Sequence, residues 1–308
     1  MINKQAMIFK HSLFYQWQTI LVLLLCSTLL TACTSIKQLT GSSETLKLTP
    51  ITAIPTHVYQ PGKFVWHDLI TPDVAAAKVF YADLFGWSFK QYGRYTLIFN
   101  KGQQIGGMVE IEPEDRENQE ALWLAAISVS DVDKAAHYIK TQGGTILQGP
   151  VDMKNRGRGV LVSDPQGAQI LLIRANDGDP IDTEPEIGSW LWNEIWTNAP
   201  QATQDFYLFL GEYDTPVKIN DYIILENGEK WRAGIRPVLE DGFKVRWVPV
   251  VRVADPEEIV SRVTTLGGIV WLRPGEFFNN SDVALISDST GALLLVQRWS
   301  TSINAGDL

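Results

Sequence analysis

The sequence predicts an α+β protein made of two tandem copies of one domain, and three observations carry that prediction. Trp66-His67-Asp68-Leu69 and Phe80-Tyr81 recur as Trp192-Asn193-Glu194-Ile195 and Phe206-Tyr207, an offset of 192 − 66 = 126 positions. Further along the offset is 124: Val129, Asp131, Gly143-Gly144, Pro150, Ser163-Asp164, Gly167-Ala168, Leu171 and Arg174 meet Val253, Asp255, Gly267-Gly268, Pro274, Ser287-Asp288, Gly291-Ala292, Leu295 and Arg298. A repeat whose offset changes by only two over a hundred residues is a duplicated structural unit. Within each copy the pattern halves again into a strand, a helix and shorter strands. Finally, 308 residues that are 45% hydrophobic, 10% aromatic and 20% charged can bury more than one core.

Taken in order, the chain opens with a mildly basic start, an apolar run from Ile20 to Leu30 and the small residues before Cys33. Basic start, short apolar stretch and small residues read as a secretory signal over residues 1–32. The run is shorter than the ~20 apolar residues of a spanning helix. Leu30-Thr31-Ala32-Cys33 resembles the lipobox of bacterial lipoproteins. That resemblance implies cleavage before Cys33, acylation of its thiol and membrane attachment through the N-terminal lipid. Thr34, where an Asp would favour inner-membrane retention, implies the outer membrane and the periplasm. Cys26 leaves with the signal, so the exported body has no thiol for a disulfide and depends on packing. Residues 33–61 mix Ser, Thr, Pro and Lys with isolated aliphatics and show neither period, which predicts a flexible tether.

The first domain spans 62–176. Phe64–Leu69 reads as a strand; Thr71-Pro72 suits a helix N-cap and first position; Ala77, Phe80 and Leu84 keep helical spacing up to Gly86. Trp123–Val129 is the next strand, Ser130 caps a helix through Val132, Ala136 and Ile139, and Val160–Ser163 and Ile170–Arg174 close the unit. The acidic stretch Asp177-Gly178-Asp179 with Asp182, Glu184 and Glu186 lacks EF-hand spacing and contains Pro180, so it reads as a polar linker. The second domain, 188–300, repeats the plan with strands at Leu191–Thr197, Val245–Val253, Val283–Ile286 and Leu293–Gln297, and Asp255-Pro256 opening a helix through Ile259, Val263 and Leu266.

Four strand–helix–strands modules in two pairs, with Trp-His-Asp-Leu, Phe-Tyr-x-x-Leu-Phe-Gly-Trp and Ser-Asp-Pro-x-Gly-Ala at these places, resemble the vicinal oxygen chelate superfamily of glyoxalases, bleomycin-resistance proteins and extradiol dioxygenases. The resemblance covers Gly62 to Arg298 and is closer in domain one than in domain two. It implies paired βαβββ modules, each pair curling a mixed sheet into an open half-barrel whose concave face holds the ligand.

Metal-using members of that superfamily place His, Glu or Gln on the first and last strand of each module. Counting back from the helix-opening aspartates and using the repeat, the first-strand positions here hold Trp66, Leu124, Trp192 and Val248, and the last-strand positions Leu171 and Leu295. None has a donor for a metal, and a catalytic centre needs about three protein ligands. Of four histidines, His11 falls in the signal, His57 in the tether and His137 on a helix; alternation turns His67 away from the face of Trp66 and Asp68. Glu110 reads as a surface charge. The expectation is therefore no metal and no cofactor.

What remains on the expected concave faces is Trp66 with Asp68 and Trp192 with Glu194. An aromatic wall with one carboxylate suits a cationic or stacked planar small molecule, and equally suits core filling with the acid hydrogen-bonded to backbone. Lys154, Arg156 and Arg158 lie among glycines, and Arg158 is a candidate anion-binding residue, against a solvated loop as the simpler reading. Nucleic-acid binding is excluded by charge: without the signal's Lys4 and Lys10, 26 − 2 = 24 basic residues face 35 acidic ones. No Walker A, dinucleotide fingerprint, His-Glu-x-x-His, Cys-x-x-Cys or Gly-x-Ser-x-Gly occurs. Three readings stay open: a small-molecule binding or interaction module, a glyoxalase-type lyase, isomerase or dioxygenase with Asp68 and Glu194 as its only acid–base candidates, and a structural envelope protein.

Overall fold

The computed structural model describes residues 48–111, 120–238, 244–276 and 282–299. The signal, Cys33 and residues 34–47 lie outside the described residues. Domain one runs β1 (Phe64–Thr71), α1 (Val74–Phe85), β2 (Ser88–Tyr92), β3 (Tyr95–Asn100), β4 (Gln103–Glu110), then β5 (Leu122–Ser128), α2 (Val132–Thr141), β6 (Thr145–Met153), β7 (Gly157–Ser163) and β8 (Gln169–Ala175). Domain two repeats it with β9 (Trp190–Thr197), α3 (Pro200–Leu210), β10 (Val217–Ile219), β11 (Tyr222–Asn227), β12 (Lys230–Pro237), β13 (Arg246–Val253), α4 (Pro256–Val263), β14 (Ile269–Leu272), β15 (Val283–Ser287) and β16 (Leu293–Arg298). This is the expected α+β architecture of two βαβββ pairs.

Each domain is one open eight-stranded sheet. The order is β2-β3-β4-β1-β5-β8-β7-β6, and the second sheet has the same order with every strand number raised by eight. Within a module the first and last strands are parallel, β1 with β4 and β5 with β8, because the helix carries the chain back across the sheet. The modules join antiparallel through β1 and β5, with Asp68 opposite Leu124.

Helix starts differ slightly from expectation. Asp73, not Thr71, caps α1 by accepting from the Ala76 amide at 2.8 Å, and Asp131, not Ser130, caps α2 by accepting from the Asp133 and Lys134 amides at 3.0 Å. A carboxylate both accepts these bonds and carries the charge the positive helix end favours. The Asp255 cap on α4 is as expected.

The tether is shorter than its composition predicts. Leu48 and Ile51 are buried in domain one, and Thr56 and His57 donate their amides to the Asp177 carbonyl at 2.8 and 3.0 Å. Two aliphatics covered by an apolar face outweigh a locally polar composition, which pattern reading of the segment alone does not register. The linker carries structural ion pairs: Asp182 meets Lys63 at 2.7 Å and both Lys230 and Arg232 at 2.8 Å. Burial pushes its carboxyl up, but these three cations together hold it well below the usual carboxylate range.

The domains pack through their convex faces. Ala77, Phe80, Tyr81 and Leu84 of α1 share one apolar cluster with Val251, Val253, Ile259, Val260, Ala284 and Leu294 of domain two. Reciprocally, Phe206, Tyr207 and Leu210 of α3 share another with Val132, Ala136, Ile139, Val160 and Leu172 of domain one. Polar contacts obey the same pseudo-twofold relation. Tyr81 donates to Asp288 at 2.9 Å and Tyr207 to Asp164 at 3.0 Å. Trp123 and Trp247 donate their indole N–H groups to the two tyrosine oxygens at 3.0 Å. The other oxygen of each aspartate accepts backbone amides of its own turn, Gln166 and Ala168 or Thr290 and Ala292. The repeated Phe-Tyr and Ser-Asp-x-x-Gly-Ala motifs are thus two halves of one interdomain contact.

At the centre of this interface His67 meets its own repeat partner. Its Nε2–H donates to Asn193 Oδ1 at 3.0 Å, and its ring lies 4.2 Å from that of Trp190. Burial lowers its pKa to about 4, opposed by the bond to Asn193, so it is neutral in the folded protein. A histidine depressed when folded has its full stabilising effect above the unfolded pKa of about 6.5; as pH falls from there to 4 the unfolded chain takes the proton first. Folding stability should therefore fall by about 3 kcal/mol across that window from this group alone. Urea unfolding from pH 7 to 4 checks it, and His67→Gln, which keeps a donor toward Asn193, should flatten the slope.

Candidate functional site

Because the convex faces cover each other, each domain turns its concave face outward, and the molecule has two separate cups. All six positions counted from the repeat face these cups. Trp66, Leu124 and Leu171 belong to the apolar cluster of cup one; Val248 and Leu295 belong to that of cup two, with Trp192 packed against it. His67 faces the interdomain side and Glu110 is exposed. Among the described residues, no three His, Cys, Asp or Glu side chains come close enough together to hold a metal ion. The side chains at the six positions do not fit a metal.

Cup one is sealed. Asp68 Oδ1 accepts from Trp66 Nε1 at 3.0 Å and from the Tyr95 hydroxyl, and Trp66 Nε1 also lies 3.0 Å from the Tyr95 oxygen. Arg156 reaches over this group: its NH1 and NH2 lie 3.2 Å from the Tyr95 oxygen, and NH1 is 3.5 Å from Asp68 Oδ2. Its guanidinium carbon stands 4.4 Å from the centre of the Trp66 ring. Arg156 is 1% exposed, and both Trp66 and Asp68 are 2% exposed. Burial, more than Asp68, pushes the Tyr95 hydroxyl far above its ordinary pKa, so it remains a donor. Trp66 and Asp68 are therefore core residues of a closed cup and line no open cavity. Sequence reading missed Arg156, placing it in a solvated basic loop; the signal available was an arginine in a tight turn before Gly157, whose φ of 139° admits few other residues.

Arg158, the residue singled out beside it, lies elsewhere. Strand alternation carries it to the outer surface, where Nε and NH2 donate to the two oxygens of Asp133 at 2.8 Å and NH1 to Asp152 at 3.0 Å. Its donors are taken up by surface carboxylates, so it is not part of either cup.

Cup two is built on the same framework with different charges. Glu194, the repeat of Asp68, accepts two bonds of 2.7 Å from Arg236, one of 2.9 Å from Tyr222 and one of 3.1 Å from Trp196. Tyr222 repeats Tyr95, and Gly234 repeats Gly107; each glycine is required because its tyrosine occupies the space of a Cβ. The arginine comes from another place: β12 here, the β6–β7 turn in domain one. Burial, reinforced by Glu194, raises the Tyr222 pKa well above its usual value. Around this group stand aromatic rings that are only partly buried. Trp192 lies 6.1 Å from Trp231 at an interplanar angle of 26°, and 6.0 Å from Tyr222; Trp231 lies 6.0 Å from Trp299. Trp192 Nε1 is buried and has no hydrogen-bond partner among the described residues.

This fold and paired-cup arrangement define a class. Residues 63–172, the span of domain one, match the family model of the Glyoxalase/Bleomycin resistance protein/Dioxygenase superfamily. The "Putative glyoxylase CFP32" of Mycobacterium tuberculosis is 27% identical over 248 residues, covering 77% of this chain and 95% of that protein. The anthracycline biosynthesis protein DnrV of Streptomyces peucetius is 27% identical over 245 residues, covering 71% and 86%. Among solved structures, the Mn(II)-bound glyoxalase from Novosphingobium aromaticivorans superposes with a TM-score of 0.57 at 14% identity, covering 78% of this chain and 83% of that one. A catechol 2,3-dioxygenase superposes at 0.53 and 13% identity, covering 80% and 90%; both are likenesses of fold.

The sealed ion pair gives a stability test. Arg156→Met leaves Asp68 buried without its cation, and should cost about 3–5 kcal/mol of folding stability. Adding Asp68→Asn should restore most of that loss. Urea denaturation of the two single variants and the double variant measures the coupling.

Proposed function

We propose that the protein is a small-molecule binding module of the bacterial cell envelope, attached through a lipid on Cys33 and binding its ligand in cup two without a metal or other cofactor. The observation that carries this reading is the aromatic wall of cup two: Trp192, Trp231 and Tyr222 gather around a buried indole N–H that lacks an acceptor. A buried donor without a partner is costly in the free protein and is relieved by a ligand that brings an acceptor. Glu194 is already neutralised by Arg236. The preferred ligand is accordingly a planar, uncharged or weakly charged molecule carrying a carbonyl or hydroxyl oxygen, rather than a simple cation. Nothing in the acidic composition favours nucleic acid as a partner. The lipid would place the cups at the membrane surface, with the outer membrane facing the periplasm as the expected site.

The names of the relatives favour a second reading, a lyase or dioxygenase of the glyoxalase type. It would have to use Asp68 or Glu194 as acid–base groups, and each is held by an arginine and a tyrosine. One experiment separates the two. Soluble protein starting at Cys33→Ser is titrated with a panel of planar oxygen-bearing aromatics while tryptophan emission is followed, and its metal content is measured after dialysis. Saturable quenching that is lost in Trp192→Ala and retained in Trp66→Phe supports the binding reading. Stoichiometric manganese, iron, nickel or zinc with turnover would replace it by the enzymatic one.

A further inference from the structure

The buried residues of the tether sit inside cup one. Leu48 and Ile51 are 7% and 4% exposed, and both belong to the apolar cluster that Trp66, Tyr95, Leu124, Leu161 and Leu171 form on the concave face. Residues 48–50 form no strand and 51–54 a bend, so they occupy the cup without extending its sheet. The polar grip falls on their main chain. Arg156 Nε donates to the Thr49 carbonyl at 3.0 Å, Gln104 Nε2 to the Pro50 carbonyl at 2.9 Å and Asn155 Nδ2 to the Leu48 carbonyl at 3.4 Å.

The side-chain hydroxyls are not gripped. Thr49 Oγ1 and Thr52 Oγ1 are buried with no hydrogen-bond partner among the described residues. Three side chains reading carbonyls and an apolar floor taking two aliphatics three positions apart constitute recognition of a short apolar segment that ends in a bend. Most of the side-chain identity goes unread. Immediately afterwards Ala53, Ile54 and Pro55 are exposed, so the buried stretch is joined to the body through an open connection.

From this geometry we infer that cup one is a peptide-binding site occupied in cis by residues 48–52, a reversible plug that a peptide of similar character can replace. The ligand class is a short, non-strand segment with aliphatic side chains at positions i and i+3 on one side. Arg156 is the positioning residue, because it holds Asp68 and Tyr95 with one edge and the plug's carbonyl with Nε. The inference concerns domain one and does not depend on what cup two binds.

The test uses the chain from Cys33→Ser with a protease recognition sequence inserted after Ile54, so that the protein folds intact and is cut afterwards. A fluorescent peptide with the sequence of residues 46–54 is added in excess and its anisotropy followed. Expected is saturable binding of one peptide per body, with displacement of the cut fragment seen by gel filtration. The Leu48→Asp peptide should bind about ten- to a hundredfold more weakly, the loss expected for one buried leucine. A peptide with Thr49→Val and Thr52→Val should bind more tightly, because it removes the two unpartnered hydroxyls. Circular dichroism of the cut protein is followed in parallel. A folded body that loses the fragment and takes no peptide overturns the inference. So does a fragment that never exchanges, and so does a body that unfolds when the fragment leaves, since the segment would then be fixed core.

Discussion

Packing of the two convex faces against each other is the constraint from which the other features follow. Each sheet has helices on one side only, and neither domain covers that side alone: the helices of one domain complete the apolar layer of the other. With no thiol in the body, burial of this layer is the main source of stability available. The aspartate of each Ser-Asp turn is placed so that one oxygen closes its own turn and the other receives the partner domain's tyrosine. A loss on either side of that contact would therefore be felt in both domains. The concave faces, turned outward by the same packing, are left free to diverge.

They have diverged in how they treat a shared carboxylate. Asp68 and Glu194 stand at equivalent positions, each accepting from a tyrosine whose hydroxyl lies over a glycine. A buried carboxylate needs a compensating cation, and the two cups supply it from different places in the module. In domain one the cation comes from the β6–β7 turn and crosses over Trp66, closing the cup and also reaching the Thr49 carbonyl. In domain two it comes from β12 and lies against Tyr222, which leaves Trp192 uncovered by it and its indole N–H unpartnered. One framework thus gives a cup filled by the chain itself and another walled by partly buried aromatic rings.

Much of this was legible before any coordinates. The repeat gave the two domains, and the modules followed from helices bounded by Asp-Pro and Gly-Gly steps. Alternation along β1 correctly set His67 against Trp66 and Asp68, and all six counted positions do face the cups. The helix caps were misplaced by one or two residues because Thr71 and Ser130 precede stronger carboxylate acceptors. Arg156 and Arg158 both sit among glycines two positions apart, and only contacts with the distant Thr49, Asp68 and Tyr95 distinguish the buried guanidinium of the turn from the outward one of the strand. The burial of Leu48 and Ile51 had no local signature at all: two aliphatics in a polar stretch carry no period.

The sequence by itself determined the class of fold, its duplication and the apolar residue types at the six counted concave positions. Those depend on residue type and spacing, which are local quantities. Tertiary structure alone decided which cup the chain fills, which arginine neutralises which carboxylate and where the tether ends. Each of those is a contact between segments tens to more than a hundred residues apart, where the energy lies in who is brought beside whom, and no window of the chain contains both partners.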